Sequence, residues 1–516
     1  MRNKSIYILT AFLSVACLFA VVPLSAAPGD LDPTFGSGGS FVFSIPDPPY
    51  IWYQVPKAIK VQADGKIVIC GQGFDDDHGI LSSWLMRYNA NGGLDTSFGS
   101  NGKAAPVMTE GAGVVGEDLA IQPDNKIVSV GYGLNGGFAV NRYDTDGTLD
   151  RSFGTGGGVI TTDGLYSARS LLIQSDGKII VAGWGYVNET TLGLAVARYN
   201  PDGSLDPGFG DRGKVITPLG VWAEGHKVIL QPDGKIVVAG MFEEYNANRA
   251  SFALARYLPN GSLDTTFGTG GLVKHTIPNG DVRWFDGAVM QPDGKIIVSG
   301  EVQIPMYTDR RFIVRYDANG SIDTSFGLGS SGMFSSPDGT LNYIGTDIAL
   351  QRDGKIVSFG SLLPSPVPAA LRLGTNGLPD TGFGSSGVSA VNSVYAYGVK
   401  GAIQPDGRII MLGQSGPLMV AVLRFMGDPA SPVHVSVSGR VTAPDGRGLR
   451  NAVVSITDVS GTVRTTTTSS FGFYSFGDLQ AGAIYTFTVG SRLYRFTPRT
   501  LTVNDNLTGI DLVGLE

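Results

Sequence analysis

The sequence has 516 residues and a net charge of −7, with 42% hydrophobic and 16% charged positions. Gly supplies 74 of these residues, about twice its ordinary share of ~7%, which excludes a mostly helical chain because each Gly inside a helix costs about 1 kcal/mol. No every-third Gly period exists, so collagen is excluded; Val, Ile, Leu and Phe are too plentiful for wholesale disorder; and the acidic balance excludes the basic face of a nucleic-acid binder.

Residues 1–27 open with Arg2 and Lys4, continue through an apolar run from Ile6 to Val22, and end on Ser25, Ala26 and Ala27. This is the layout of a secretory signal peptide. The expected location is therefore periplasmic, cell-surface or extracellular. No later stretch approaches 18 consecutive apolar residues, so no membrane span is expected after cleavage. The segment also carries Cys17, one of two cysteines. Cys70 lies in the apolar run from Ile67 and reads as a buried core thiol.

From residue 28 the chain repeats itself. Gln-x-Asp-Gly-Lys, followed by an apolar strand and Gly, begins at Gln62, Gln122, Gln174, Gln231, Gln291, Gln351 and Gln404, at intervals of 52 to 60 residues. An apolar strand ending in Arg-Tyr follows, as at 252–257. Next comes Asn/Asp-Gly-x-Leu-Asp-x-x-Phe-Gly, whose Phe recurs at Phe35, Phe98, Phe153, Phe209, Phe267, Phe326 and Phe383. Each unit reads as four strands; in the unit ending at Tyr257 they are expected near 214–217, 227–231, 235–240 and 252–257. Asp-Gly between the second and third supplies the positive backbone angles of a hairpin turn. Seven such four-stranded units predict an all-β, seven-bladed β-propeller over 28–426. The opening copy at Leu31–Gly36 has no strands before it, and the last unit ends at Arg424-Phe425 with no copy after it. The two ends are expected to join and close the ring, which removes exposed sheet edges.

These motifs resemble the delta-60 repeat β-propeller family over residues 31–425. Departures are local: Asn125 replaces Gly in the second copy, Arg408 replaces Lys in the seventh, the sixth Arg-Tyr strand reads Leu371-Arg372-Leu373, and Pro379 stands before Asp380. The family has no established function, so the resemblance implies a fold and transfers no catalytic residue.

Residues 427–432 are turn formers without an apolar pattern and read as a linker. Beyond them, 433–516 holds seven Arg and no Lys, and alternates at 435–441 and 453–456. Gly439-x-Val441, Pro444-Asp445-Gly446, Gly472-x-Tyr474-x-Phe476 and Gly482-x-x-Tyr485 resemble the carboxypeptidase-regulatory-like family. The resemblance implies a small seven-stranded, Ig-like or prealbumin-like β-sandwich, a stabilising or adhesive module without peptidase chemistry.

Catalytic signatures are sparse. His78, His226, His275 and His434 fall in different units without paired spacing. No Gly-x-Ser-x-Gly elbow exists, and Gly327–Gly332 matches a dinucleotide fingerprint only by its Gly content, since no helix follows. Asp144, Asp146 and Asp150 have the spacing that starts a calcium loop. The same spacing recurs with Asn elsewhere, which favours a turn with Asp side chains bonding backbone amides. Neither a catalytic residue, a metal nor a cofactor is assigned on this basis.

Antiparallel alternation puts both constant motifs on one face of the disc. The opposite face carries the loops that differ between copies, including 74–78, 243–246 and 305–310, and is where specific contacts are expected. Trp52, Trp222 and Trp284 lie 10, 9 and 7 residues before their Gln, and Tyr166, Tyr343 and Tyr397 lie 8, 8 and 7 before theirs. These six aromatics are candidate ligand contacts at the pore mouth, or caps on their own blade cores. The expected function is a secreted or cell-surface, non-enzymatic binding or scaffold protein, monomeric, recognising a protein or a glycan. The alternatives are a propeller glycan hydrolase or lyase, with Glu117, Asp118, Asp286 and Asp347 as its candidate carboxylates, and a structural spacer of an envelope or adhesin assembly.

Overall fold

Each Gln-x-Asp-Gly-Lys segment closes a tight turn. In the fourth copy Gly234 has φ +81°, and its N–H donates to the Gln231 carbonyl at 2.9 Å while the Gln231 N–H donates to the Lys235 carbonyl at 2.8 Å. A side chain at that φ is strained, which is why Gly recurs here; the second copy uses Asn125, φ +66°, the residue type that tolerates this region best after Gly. The turn sends the chain directly into its next apolar strand.

The structure is a computed structural model and describes residues 26–44, 53–75, 80–104, 108–109, 112–133, 135–244, 249–278, 280–304, 310–336, 343–364, 366–428, 434–459, 461–480, 483–503, 507 and 510–515. Residues 1–25, Trp52, most of the loops at 76–79, 245–248 and 305–309, and 429–433 lie outside them. Two compact units part at Met426–Gly427.

The first unit has seven antiparallel sheets, six of four strands and one of five. Blade 4 shows the pattern: Trp222–Leu230, Ile236–Glu243, Ala250–Tyr257 and Leu272–His275, hydrogen-bonded in that order. The first strands of the seven blades are Tyr53–Val61, Ala112–Ile121, Leu165–Ile173, Trp222–Leu230, Asp281–Met290, Tyr343–Leu350 and Tyr397–Ile403. Consecutive first strands pack on one another all the way round, and that of blade 7 packs on that of blade 1. They therefore line a central channel. A short extra strand, Met108–Thr109, precedes blade 2 and pairs with its first strand.

The blade phase differs from the sequence expectation. Lys214–Pro218 does not begin the unit that ends at Tyr257. It pairs with residues 193–197 as the outermost strand of blade 3. The reason is the Leu-Asp-x-x-Phe-Gly motif, which folds the chain back onto the strand before it: the Asp206 N–H donates to Arg198 O at 2.8 Å, and the Arg198 N–H to Gly213 O at 2.9 Å. Shifting the phase by one strand leaves the two faces unchanged. First-to-second turns and third-to-fourth links, the constant motifs, still share one face.

Hydrophobic burial lies between blades. Every pair of neighbours shares one cluster, and each cluster contains the motif Phe of one of them: Phe98, Phe153, Phe209, Phe267, Phe326 and Phe383 between blades 1 to 7, and Phe35 between 7 and 1. All seven rings are fully buried. Cys70 lies in one of these clusters, and burial pushes its thiol pKa well up.

An ionic latch stands within each blade, beside its interface with the next. The Arg of the third strand meets the motif Asp at 2.7 to 2.9 Å in Arg87–Asp95, Arg142–Asp150, Arg198–Asp206, Arg256–Asp264, Arg315–Asp323, Arg372–Asp380 and Arg424–Asp32. In blades 1 to 6 the turn Lys joins the same carboxylate at 2.6 to 3.3 Å. The guanidinium sits 4.4 to 4.8 Å over the motif Phe ring in every blade. In six of them it also donates to a carbonyl in the next blade's turn, as Arg256 does to Ala318 O at 2.6 Å. Blade 6 keeps its latch despite its degraded motif.

The latch carboxylates make the fold acid-sensitive. Burial works to raise the Asp206 carboxyl, but Lys178, the Gly208 N–H and Arg198 outweigh it and hold it at about 2. Asp95, Asp150, Asp264 and Asp323 are depressed by the same kinds of partner. A folded pKa below the unfolded ~3.9 gives stability that is complete above that value and is lost as pH falls through the folded one. The latch contribution to the midpoint temperature is expected to be flat from pH 7 to about 5, and the midpoint to drop steeply between about pH 4 and 2. A flat profile down to pH 2 would remove the latches from the account of stability.

The second unit is a β-sandwich of seven strands among the described residues. One sheet places His434–Thr442 between Phe473–Gln480 and Leu512–Val513; the other runs Val463–Thr467, Val453–Asp458, Ala483–Gly490, Arg499–Val503. Val437, Val441, Tyr474 and Phe476 from the first meet Val454, Ile456, Phe487 and Val503 from the second in one core.

Candidate functional site

The channel wall carries a device repeated in all seven blades. Each first strand has a β-bulge at one equivalent place, five residues before its Gln. The extra residues are Lys57, Glu117, Arg169, His226, Asp286, Thr346 and Val399. The residues after them are Ala58, Asp118, Ser170, Lys227, Gly287, Asp347 and Lys400. A bulge leaves one residue unpaired, twists the strand and re-aims its side chain. Five of the seven unpaired positions are ionisable, in strands otherwise mostly apolar.

All four candidate carboxylates therefore sit on the channel wall, and each has a polar partner. Glu117 of blade 2 meets Lys57 of blade 1 at 3.3 Å and Arg169 of blade 3 at 2.8 Å. It also accepts from Gln72 Nε2 at 2.9 Å. Asp118 accepts from the Leu119 N–H at 2.9 Å and lies 4.0 Å from Lys60 and 3.8 Å from Lys227. Asp286 binds Arg311 at 2.6 Å. Asp347 accepts from the Gly401 N–H at 3.1 Å and stands 3.9 Å from Lys400. Glu224, two residues nearer the mouth on the same strand, lies 3.3 Å from His226.

Their electrostatics differ by surroundings. Burial pushes the Asp286 carboxyl up to about 6, against the pull of Arg311 and Lys400. Burial works upward on Asp118 too, but Lys227, Lys60 and the Leu119 N–H reverse it and keep it ionised. Asp118 in turn raises Lys227, whereas burial lowers Lys60. Lys60, Asp118, Lys227, Asp347 and Lys400, from five blades, feel one another's charge, so they converge in the lumen.

The aromatic candidates do not form one ring. Trp284 and Tyr397 occupy the same place, seven residues before Gln, and are 67% and 52% exposed. Trp222 is half-buried and packs on the core between blades 4 and 5. Tyr166 stacks on Trp184 at 4.4 Å and meets Tyr186 edge-on at 5.5 Å. Trp52 and the Tyr343 side chain lie outside what the structure describes.

The calcium-like Asp residues serve the turn and the latch. The Lys126 ammonium stands between Asp144 at 2.9 Å and Asp150 at 2.7 Å. Asp146 accepts from the Thr148 N–H and hydroxyl at 2.9 and 2.7 Å. Among the described residues no three His, Cys, Asp or Glu side chains converge as a metal site.

The channel cations escaped the sequence reading. Lys57, Lys60, Arg169, Lys227 and Lys400 were detectable as charges in apolar strands two to five residues before Gln, once that offset is compared across copies.

Among solved structures, the chain resembles the β-propeller domain of the Trilobed protease from Pyrococcus furiosus, at 11% identity and TM-score 0.40, over 74% of this chain and 98% of that one. It also resembles the alpha-L-arabinofuranosidase Arb93A from Fusarium graminearum, at 13% and 0.39, over 65% and 98%. A third is the aldose sugar dehydrogenase from Streptomyces coelicolor, at 10% and 0.35, over 77% and 100%. No curated protein matches the chain. Residues 62–98, 122–153, 174–209, 231–267 and 291–326 match the β-propeller family described as a domain of unknown function (DUF5122), and 436–512 match the carboxypeptidase regulatory-like domain. The chain is a β-propeller carrying five matched repeats of that family, followed by a carboxypeptidase regulatory-like domain.

Proposed function

We propose that the protein is exported and acts as a non-enzymatic binding or scaffold protein, recognising a glycan or protein at the channel mouth on the variable face. The observation that carries this reading is the pair Trp284 and Tyr397, equivalent in two blades and more than half exposed. A flat aromatic face left in water offers a stacking surface for a sugar ring or an apolar side chain. Arrays of glycans and peptides probed with the protein lacking residues 1–27 test it. Trp284→Ala with Tyr397→Ala is expected to weaken binding at least tenfold. Exposed sites of this kind change stability by about 0.5 kcal/mol or less, so the midpoint temperature should hold. Binding that survives both substitutions moves the contact elsewhere.

The enzyme reading rests on Asp286, a raised carboxyl beside the backbone of Asp347 through Arg311, which donates to the Asp347 carbonyl at 3.1 Å. A glycan hydrolase or lyase of that kind would release product from an array-positive glycan and lose that activity in Asp286→Asn. Absence of any ligand on either array would leave the spacer reading.

A further inference from the structure

We propose that the channel lumen is an anion subsite that takes the single carboxylate of an acidic sugar, held by Lys60, Lys227 and Lys400. This rests on the glycan reading above and specifies its ligand class. Three lysines from blades 1, 4 and 7 converge on Asp118 and Asp347. Their ammonium groups stand 3.8 to 4.0 Å from those oxygens, beyond hydrogen-bond length. Lys400 also donates to Thr346 O at 3.3 Å. The lysines are 32 to 39% open to solvent even though protein surrounds them, so they border the lumen and can turn toward a guest.

The charge balance selects the guest. At the lysine cluster itself Lys60, Lys227 and Lys400 face Asp118 and Asp347, three cations to two anions. That local excess of one positive charge, inside a chain of net −7, matches one carboxylate and fits a dianion less well. Desolvation strengthens that attraction relative to an exposed lysine patch. Asp118 and Asp347 keep acceptor capacity for sugar hydroxyls, which a simple inorganic anion does not use. Lys227 and Lys400 lie three residues deeper than the position of Trp284 and Tyr397, about 10 Å at strand rise. A chain end can thus place its carboxylate in the lumen while an adjoining ring stacks at the mouth.

Calorimetry on the protein lacking residues 1–27, with glucuronic acid, a four-unit oligouronate and a neutral oligosaccharide of equal length, tests this. The oligouronate is expected to bind at least tenfold tighter than the neutral chain. Lys227→Met with Lys400→Met is expected to remove that preference, and Lys60→Met to reduce it, with the midpoint temperature of each variant checked. Free glucuronic acid binding as tightly as the oligomer would assign the lumen to a small metabolite and not to a chain end. Equal affinity for neutral and acidic chains, or a preference that survives the lysine variants, overturns the subsite and leaves the glycan reading intact. No binding by any of the three sugars, with peptides bound instead, overturns both.

Discussion

Arg256→Met is expected to destabilise the propeller by about 3–5 kcal/mol, the range for breaking a buried ion pair from one side. Arg256 and Asp264 side chains are 7% and 5% exposed and meet at 2.9 Å. Removing the guanidinium leaves Asp264 with Lys235 at 3.2 Å and the Thr266 hydroxyl and N–H at 2.7 and 3.1 Å. It also removes the bond to Ala318 O in blade 5 and the contact 4.5 Å over Phe267. Three kinds of interaction therefore fail at one interface. Lys235→Met is the control: its side chain is 27% exposed, and a pair of that kind is worth about 1 kcal/mol or less. Urea unfolding of both variants measures the difference. If Arg256→Met costs no more than Lys235→Met, the Arg is not the latch.

The residues of the latch were legible as a repeated motif, although the ion pair between them was not read. Asp264 and Phe267 recur at a fixed offset from Arg256, and a residue needed once per interface must recur once per blade. Blade phase was less legible. Residues 214–217 read as a short strand whether they open one blade or close the previous one; only the hydrogen bonds of the Asp206 link decide. The channel was hardest to read, because its residues differ in charge from blade to blade. Its bulges bear no common marker: the residue before the extra one is Pro56, Ala168 or Phe285 in three blades and Gly in four. Gly398 shows why Gly helps where it occurs, since a Cβ there would meet Gly360 O at 2.3 Å. Counting aromatics at 7 to 10 residues before Gln mixed odd and even strand positions, which point to opposite faces. The two at seven, Trp284 and Tyr397, share one position and are both exposed.

Asp32→Ala is expected to cost as much as Asp264→Ala, about 3–5 kcal/mol by the same unpaired-charge argument. The expectation follows from how the ring closes. Asp32 and Arg424 are 392 positions apart, yet they meet at 2.8 Å with side chains 2% and 6% exposed. The Asp32 N–H donates to Arg424 O at 2.8 Å, and the Arg424 N–H to Gly39 O at 2.9 Å. Ser40–Ser44 then pairs with residues 419–423 as the outermost strand of blade 7. Phe35 fills the core between blades 7 and 1, and the Gly384 N–H of blade 6 donates to Pro28 O at 3.0 Å. The N-terminal segment thus supplies a strand, a core ring and a latch carboxylate to the far end of the chain. A double-mutant cycle between Asp32→Ala and Arg424→Met isolates the pair, and a coupling of about 1–3 kcal/mol is expected, as for contacting residues within one network. An equal coupling for Asp264 and Arg256 would show that the closing interface is built like the internal ones. If Asp32→Ala costs under about 0.5 kcal/mol, the value for an ordinary surface substitution, the ring opens in solution between blades 7 and 1, and blade 7 keeps an unpaired edge strand.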